Sequence, residues 1–423
     1  MTSRDRHRST EAATLVTAGN SAMKAVRPRR DERLSKTQNP VSERACGFDS
    51  RLRHPTLTIS SLSRHGRGGS HDGGSSVFRA EDEVVADVTR VRRLTRSVSE
   101  PLRMPGARIL ERQLRRGSAQ LGLVVVYHRT GPRRGDDAHE IDPATSVSDL
   151  RRNLELLRAH YRVVGADEIV EAVSSRRPGQ RFPVAITFDD DVACHLDHAA
   201  PVLRSLGLPA TFFLTGASLE GPNPHWWEDL QRAVDGGRLH LTSLPELDAQ
   251  LSRRALDRVP GALHQAMWAV ASLPSEERDS VAARLRPLAG EGGDRGLRVA
   301  DVRELRRAGL TIGFHTLRHY ELTTLDSAGL EQAMREGRQR LSEAADTALT
   351  SIGYPHGSCN ARVAEAARAA GFLFGFTTTP RPVRHNENPL QIGRVVPTRR
   401  SPASFAMQVV HALRRAHRNL PPR

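Results

Sequence analysis

At 423 residues the chain is long enough for two or three domains and for a full hydrophobic core. Its formal net charge of +15 is carried mostly by arginine, but the arginines are scattered and aromatic residues make up only 4%, which disfavours a dedicated nucleic-acid module built on base stacking. Three widely separated cysteines argue against a disulfide framework, and no apolar run approaches the roughly 20 residues needed to cross a bilayer. The basic N-terminus lacks the apolar stretch of a secretory signal, so a reducing, cytoplasmic setting is expected.

Residues 1–105 are dominated by Ser, Arg, Gly and Pro and include the low-complexity GRGGSHDGGSS, so they read as a disordered arm. Within that arm only EDEVVADVTRVRRL has the makings of a helix. From Leu121 the texture changes, and residues 106–423 read as one α/β domain in which short β-branched runs alternate with amphipathic stretches. LGLVVVYH predicts a strand, SVSDLRRNLELLRAH a helix, YRVVG a short strand, ADEIVEAVSS a helix and PVAITFD a buried strand. CHLDHAAPVLRSLG then predicts a helix stopped by Gly207, and PATFFLTG a strand closed by Gly216. Between about 218 and 298 the alternation lapses into helix-like segments, WWEDLQRAV among them, which reads as an inserted helical subdomain. The pattern resumes with the helix VADVRELRRAG, the strand LTIGFH, one long helix SAGLEQAMREGRQRLSEAA, the strand LTSIGYP and the helix ARVAEAARAAG. FLFGFTT and LQIGRVVP follow as strands. Six to eight strands, mostly followed by helices, predict a complete or distorted (β/α) barrel.

In such a barrel the loops after the strands carry the chemistry. FDDD crowds Asp189, Asp190 and Asp191 at one strand end, where unpaired carboxylates repel and require either water or a cation. HTLRH closes another strand with His315 and His319 at i, i+4, a spacing that puts both imidazoles on one face of a helical turn. With 18 histidines, about 0.7 such pairs are expected by chance, so placement at a strand end gives the pair its weight. One aspartate added to the two histidines makes a three-ligand set with an open coordination position, and a neighbouring aspartate could take a proton from water as general base. A third strand ends in Tyr354, Pro355 and His356.

VAITFDDD, APVLRSLGLPATFFLTG, GFHTLRH and IGYPHG, in that order across about residues 121–400, resemble the polysaccharide deacetylase family, also called the NodB-homology or carbohydrate esterase 4 group. The resemblance implies a distorted barrel of that type and removal of N-acetyl, less often O-acetyl, groups from a carbohydrate or glycolipid with a divalent metal, usually zinc. It implies Asp189 as the general base and Asp190, His315 and His319 as metal ligands. It makes Tyr354, Pro355 and His356 a substrate-groove wall, with the His356 backbone N–H available to an oxyanion. Where the family has glycine, this chain has Asp191, which adds charge at a tight turn. The family's base-orienting arginine has no match at Gly353, and Arg394 in QIGRVVP is the substitute. The late LxxH motif is not evident, which leaves His128, His356 and His385 as general-acid candidates.

Trp226 and Trp227 read as helix-start packing, with Trp227 also a candidate for sugar contact. The C-terminal FAMQVVHALRRAHRNLPPR reads as a docking or solvated basic helix, and the basic surface could associate peripherally with a membrane. Two rival readings are a catalytically degenerate glycan-binding member of the same fold and a basic protein that associates with nucleic acid through the arm.

Overall fold

The computed structural model describes residues 103–132, 139–219, 221, 225–241, 244, 261–293 and 295–418. The predicted disordered arm and its short helix lie outside the described residues up to 102. Residues 103–116 form helix α1, so the folded region reaches back past the predicted boundary at 105/106.

Strands β1 (Leu121–Tyr127), β2 (Arg162–Val164), β3 (Pro183–Asp189), β4 (Thr211–Leu214), β5 (Thr311–Phe314), β6 (Ser351–Gly353) and β7 (Phe374–Phe376) are parallel. The order across the sheet is β7-β6-β5-β4-β3-β1-β8, where β8 (Val383–Arg384) runs antiparallel to β1. All seven residues of β1 and of β3 are buried, as expected for parallel strands covered on both faces. The amino half of β3 pairs with β2 and its carboxyl half with β4, so the sheet forks there. The curl is completed by residues 392–395. Ile392 bridges to Phe376 of β7 and Val395 to Val125 of β1, with main-chain bonds of 2.8–3.1 Å. LQIGRVVP therefore lies as two isolated bridges instead of the expected strand, and β8 is an added element.

Helices α2 (Val147–His160), α3 (Ile169–Ser174) and α4 (Ala200–Leu206) return the chain between the first strands. Ser146 caps α2 by accepting from the Asp149 N–H, and Gly207 ends α4 in the left-handed conformation at φ 62°. Next come α5 (Trp226–Asp235), α6 (Ala262–Ala271) and α7 (Ser275–Ala289), which with Ile141 build an apolar cluster separate from the main core around Leu230, Leu263, Ala266, Val270 and Val281. Then follow α8 (Val299–Arg307), α9 (Ser327–Arg335), α10 (Arg338–Ala345), α11 (Ala361–Ala369) and α12 (Pro402–Arg418). The single helix expected over 327–345 is two. Gly337 takes φ 75° between them, and a Cβ there would press on Leu317 at 2.9 Å.

Helix α12 corrects another expectation. Phe405, Val409, Val410 and Leu413 are fully buried in the main core, so this face is structural and only the opposite side is solvated. Among the described residues no helix is long and apolar enough to cross a membrane.

Candidate metal centre

The carboxyl ends of β3, β5 and β6 converge, bringing Asp189–Asp191, His315–His319 and Tyr354–Gly357 to one mouth. The three aspartates do three different things. Asp189 is 1% exposed and forms a two-pronged ion pair with fully buried Arg394, both N–O distances being 2.7 Å. The Arg394 Nε–H is spent on the Thr377 carbonyl at 3.0 Å, which fixes the guanidinium plane. Burial alone would raise the Asp189 pKa, but Arg394, with His315 adding to it, more than offsets this and holds the carboxyl at about 2. Arg394 reaches the mouth because it lies on the segment that closes the barrel between β7 and β1.

Asp190 has no such cation. Its Oδ1 is buried without a hydrogen-bond partner, 3.5 Å from His319 Nε2 and 3.7 Å from His315 Nε2. Burial first, then the charges of Asp189 and Asp142, push its pKa well up, so the site resists a second negative charge unless a cation is added. His315 Nδ1–H donates to the Gly353 carbonyl at 2.7 Å, which leaves the Nε2 lone pair facing Asp190. Burial pushes both imidazoles toward the neutral, ligating form. Atoms about 2.1 Å from a tetrahedral ion stand about 3.4 Å apart, close to the spacings seen. One atom each from Asp190, His315 and His319 lies within 4.8 Å of the others, and these three residues could hold a divalent metal.

Asp191 turns away from the mouth. It accepts from the Thr215 N–H and hydroxyl, both at 2.7 Å, and from the Ser218 N–H and hydroxyl at 3.3 and 3.2 Å. The residue with positive φ is Asp190, at 75°, so the expected disturbance at Asp191 is absent: its charge is satisfied and its backbone needs no glycine. The expected helical turn at HTLRH is also absent. Thr316 and His319 adopt φ 54° and 50°, and the five-residue turn delivers both rings to Asp190 by this left-handed geometry.

Other predicted residues are distributed as follows. His128 follows β1 and is 31% exposed, with Nε2 3.9 Å from Asp189 Oδ2. His356 takes φ 56°, stacks edge-on against His319 at 4.7 Å, and is driven by burial to a pKa of about 3. Its neighbour Gly357 has φ 71°, and any Cβ there would collide with Thr378. His385 follows β8, which pairs with the amino end of β1, so it lies at the opposite end of the barrel. Tyr354 and Pro355 are corrections to the predicted groove wall: both are buried, and the Tyr354 hydroxyl donates to the Leu390 carbonyl at 2.8 Å in the core. Trp227 is 8% exposed, its ring 4.8 Å from that of His319, so it packs on a candidate ligand side chain instead of offering a face to solvent.

Sequence reasoning missed two supporting residues. His195, in HLDH, donates Nε2–H to the Asp189 carbonyl at 2.8 Å and is lowered by burial to a pKa of about 4. Arg278 of α7 is 5% exposed and donates to the Arg318 and His319 carbonyls at 3.0 and 3.2 Å while stacking on Tyr320 at 4.0 Å. His195 could be suspected from its place just behind FDDD, whereas nothing in SEERDS marks Arg278.

A family model described as polysaccharide deacetylase matches residues 176–251 and 285–375. The provisionally named polysaccharide deacetylase YxkH of Bacillus subtilis (strain 168) is 22% identical over 220 residues, covering 52% of this chain and 53% of the relative. The chain thus spans about half the length of the curated relative it matches. Among solved structures, the Streptococcus pyogenes deacetylase PplD in complex with acetate has 14% identity and a TM-score of 0.48, covering 69% of this chain and 99% of that one. IcaB from Ammonifex degensii has 18% identity and a TM-score of 0.43, covering 69% and 98%.

Proposed function

Because the chain belongs to the polysaccharide deacetylase family, we propose that it is a metal-dependent hydrolase that removes the N-acetyl group from an amino sugar in a polysaccharide, glycolipid or lipid-linked precursor. The observation that carries this reading is the buried, unpartnered Asp190 Oδ1 facing two imidazole nitrogens beside an arginine-held carboxylate. Two imidazoles and one carboxylate suit zinc, which when bound would polarise the acyl carbonyl.

The chain's own residues supply the rest. Arg394 keeps Asp189 ionised and fixes its plane, so the carboxylate can accept a proton from an attacking water. The water oxygen bonds to the carbonyl carbon, the C–N bond then breaks, and the products are acetate and a free amine. The departing nitrogen needs a proton, and we assign that role to His128, which stands at the mouth with Nε2 3.9 Å from Asp189 and about a third of its side chain open to solvent. His356 is held neutral by burial and His385 is at the wrong end of the barrel. A cytoplasmic location would favour a biosynthetic precursor over a mature wall polymer.

The test is acetate release from N-acetylchitopentaose by the full-length protein with zinc, after chelation, and after zinc is restored. Turnover is expected to vanish and return. Protein that holds stoichiometric metal yet frees no acetate from N- or O-acetylated glycans would sink the proposal.

A further inference from the structure

Of the chain's three tryptophans, Trp226 and Trp227 are buried, while Trp268 is 36% exposed. Helix α6, ALHQAMWAVA, turns Leu263, Ala266, Met267 and Val270 into the apolar cluster of the inserted helices, and at 100° per residue Trp268 falls on the side away from that stripe. About a third of the tryptophan's surface remains open to solvent, and its position decides what it can meet there. The ring does not project into empty solvent: it lies 5.2 Å from the His356 ring at 56°, and His356 in turn meets His319 at 4.7 Å. A partly exposed indole thus stands two ring contacts from the candidate metal ligands, supplied by a segment outside the strand-end motifs.

We propose that Trp268 is a stacking platform for a pyranose ring adjoining the sugar that is hydrolysed, so that the insertion selects oligomeric over monomeric glycans. This rests on the deacetylase reading for the hydrolysed residue. The chemistry is general: the C–H face of a pyranose packs on an aromatic plane, and an indole offers the largest such plane at little entropic cost. Neither of the other two tryptophans can serve, since each is more than nine-tenths covered.

The experiment compares full-length wild type, Trp268→Ala and Trp268→Tyr on N-acetylchitopentaose and on monomeric N-acetylglucosamine, and measures pentaose binding by calorimetry with an Asp189→Asn background. Trp268→Ala is expected to raise KM for the pentaose about 10-fold with kcat within about twofold, to leave the monomer unchanged, and to weaken pentaose binding to the same extent; Trp268→Tyr restores most of it. Equal KM for wild type and Trp268→Ala, or an equal loss on the monomer, overturns the platform. If wild type binds the pentaose without turnover, the deacetylase reading fails while the binding arm still decides the platform. No pentaose binding by wild type, or unchanged binding with an altered sedimentation profile in Trp268→Ala, overturns it in favour of a protein contact.

Discussion

The barrel and the inserted helices contribute to the same mouth in different ways. The barrel supplies Asp189, Asp190, His315 and Arg394 from strand ends or from the segment that closes it, where pairing between neighbouring strands leaves the main chain little freedom. The insertion supplies Trp227, Arg278 and Trp268, all grouped around His319 and its neighbour His356. The candidate ligands and base thus come mainly from the strand-paired region, and the groups that pack around them come from a separately packed helical cluster. Changes in the barrel should abolish function, whereas changes in the insertion should grade it.

The largest effect is expected for His315→Ala, which should lose stoichiometric metal and with it acetate release; metal analysis of purified protein checks this, and equal zinc in both proteins would break the comparison at its root. Arg394→Met leaves the Asp189 carboxylate buried without its cation and should cost about 3–5 kcal/mol in urea unfolding, together with most of the activity. Acidification should act through the same strand end. The folded-state pKa of Asp189 is depressed to about 2, so its stabilisation is complete above the unfolded value near 4 and is lost as pH falls toward 2. His195 is lowered to about 4, so only the unfolded chain gains its proton as pH drops from 6.5 to 4, and its own contribution to the loss of stability across that window is about 3 kcal/mol. His195→Gln should make that part of the profile less steep without abolishing the slope, because buried His315, His319 and His356 titrate in the same direction, and an unaltered slope would exclude the assignment.

Effects in the insertion should be smaller. Arg278→Ala frees the carbonyls of the HTLRH turn and should weaken zinc binding by about 10-fold in a chelator competition, with the fold intact by circular dichroism. A complete loss of metal would show that the insertion belongs to the core of the site, not to its periphery. The mildest change is Ser218→Ala, which removes a hydroxyl shared between Asp191 and the Leu297 carbonyl and should cost about 1 kcal/mol.

Legibility in the sequence follows how local each feature is. PVAITFD and LGLVVVY are apolar throughout because parallel strands are covered on both faces, and the residues that follow them had to lie at the carboxyl mouth. Asp190, His315 and His319 could therefore be grouped before any coordinates. Tyr354 could not be placed, because a strand-end tyrosine faces groove or core according to a partner, here the Leu390 carbonyl, that is remote in sequence. The break at Gly337 was visible as a glycine, yet only its contact with Leu317 makes it obligatory. The amphipathic pattern of α12 was plain, but which surface its apolar face covers is a tertiary fact. Arg278 left no trace, since an arginine that braces two carbonyls has the same sequence signature as one in solvent.

Among the described residues five non-glycine positions have positive φ, and four of them, Asp190, Thr316, His319 and His356, surround this one mouth. Selection for heat resistance would find those positions early, because glycine there relaxes the main chain while, at Asp190 and His319, removing a candidate metal ligand. Variants that tolerate higher temperatures through such exchanges should emerge folded and inert, so a screen for durability needs a parallel assay for metal retention.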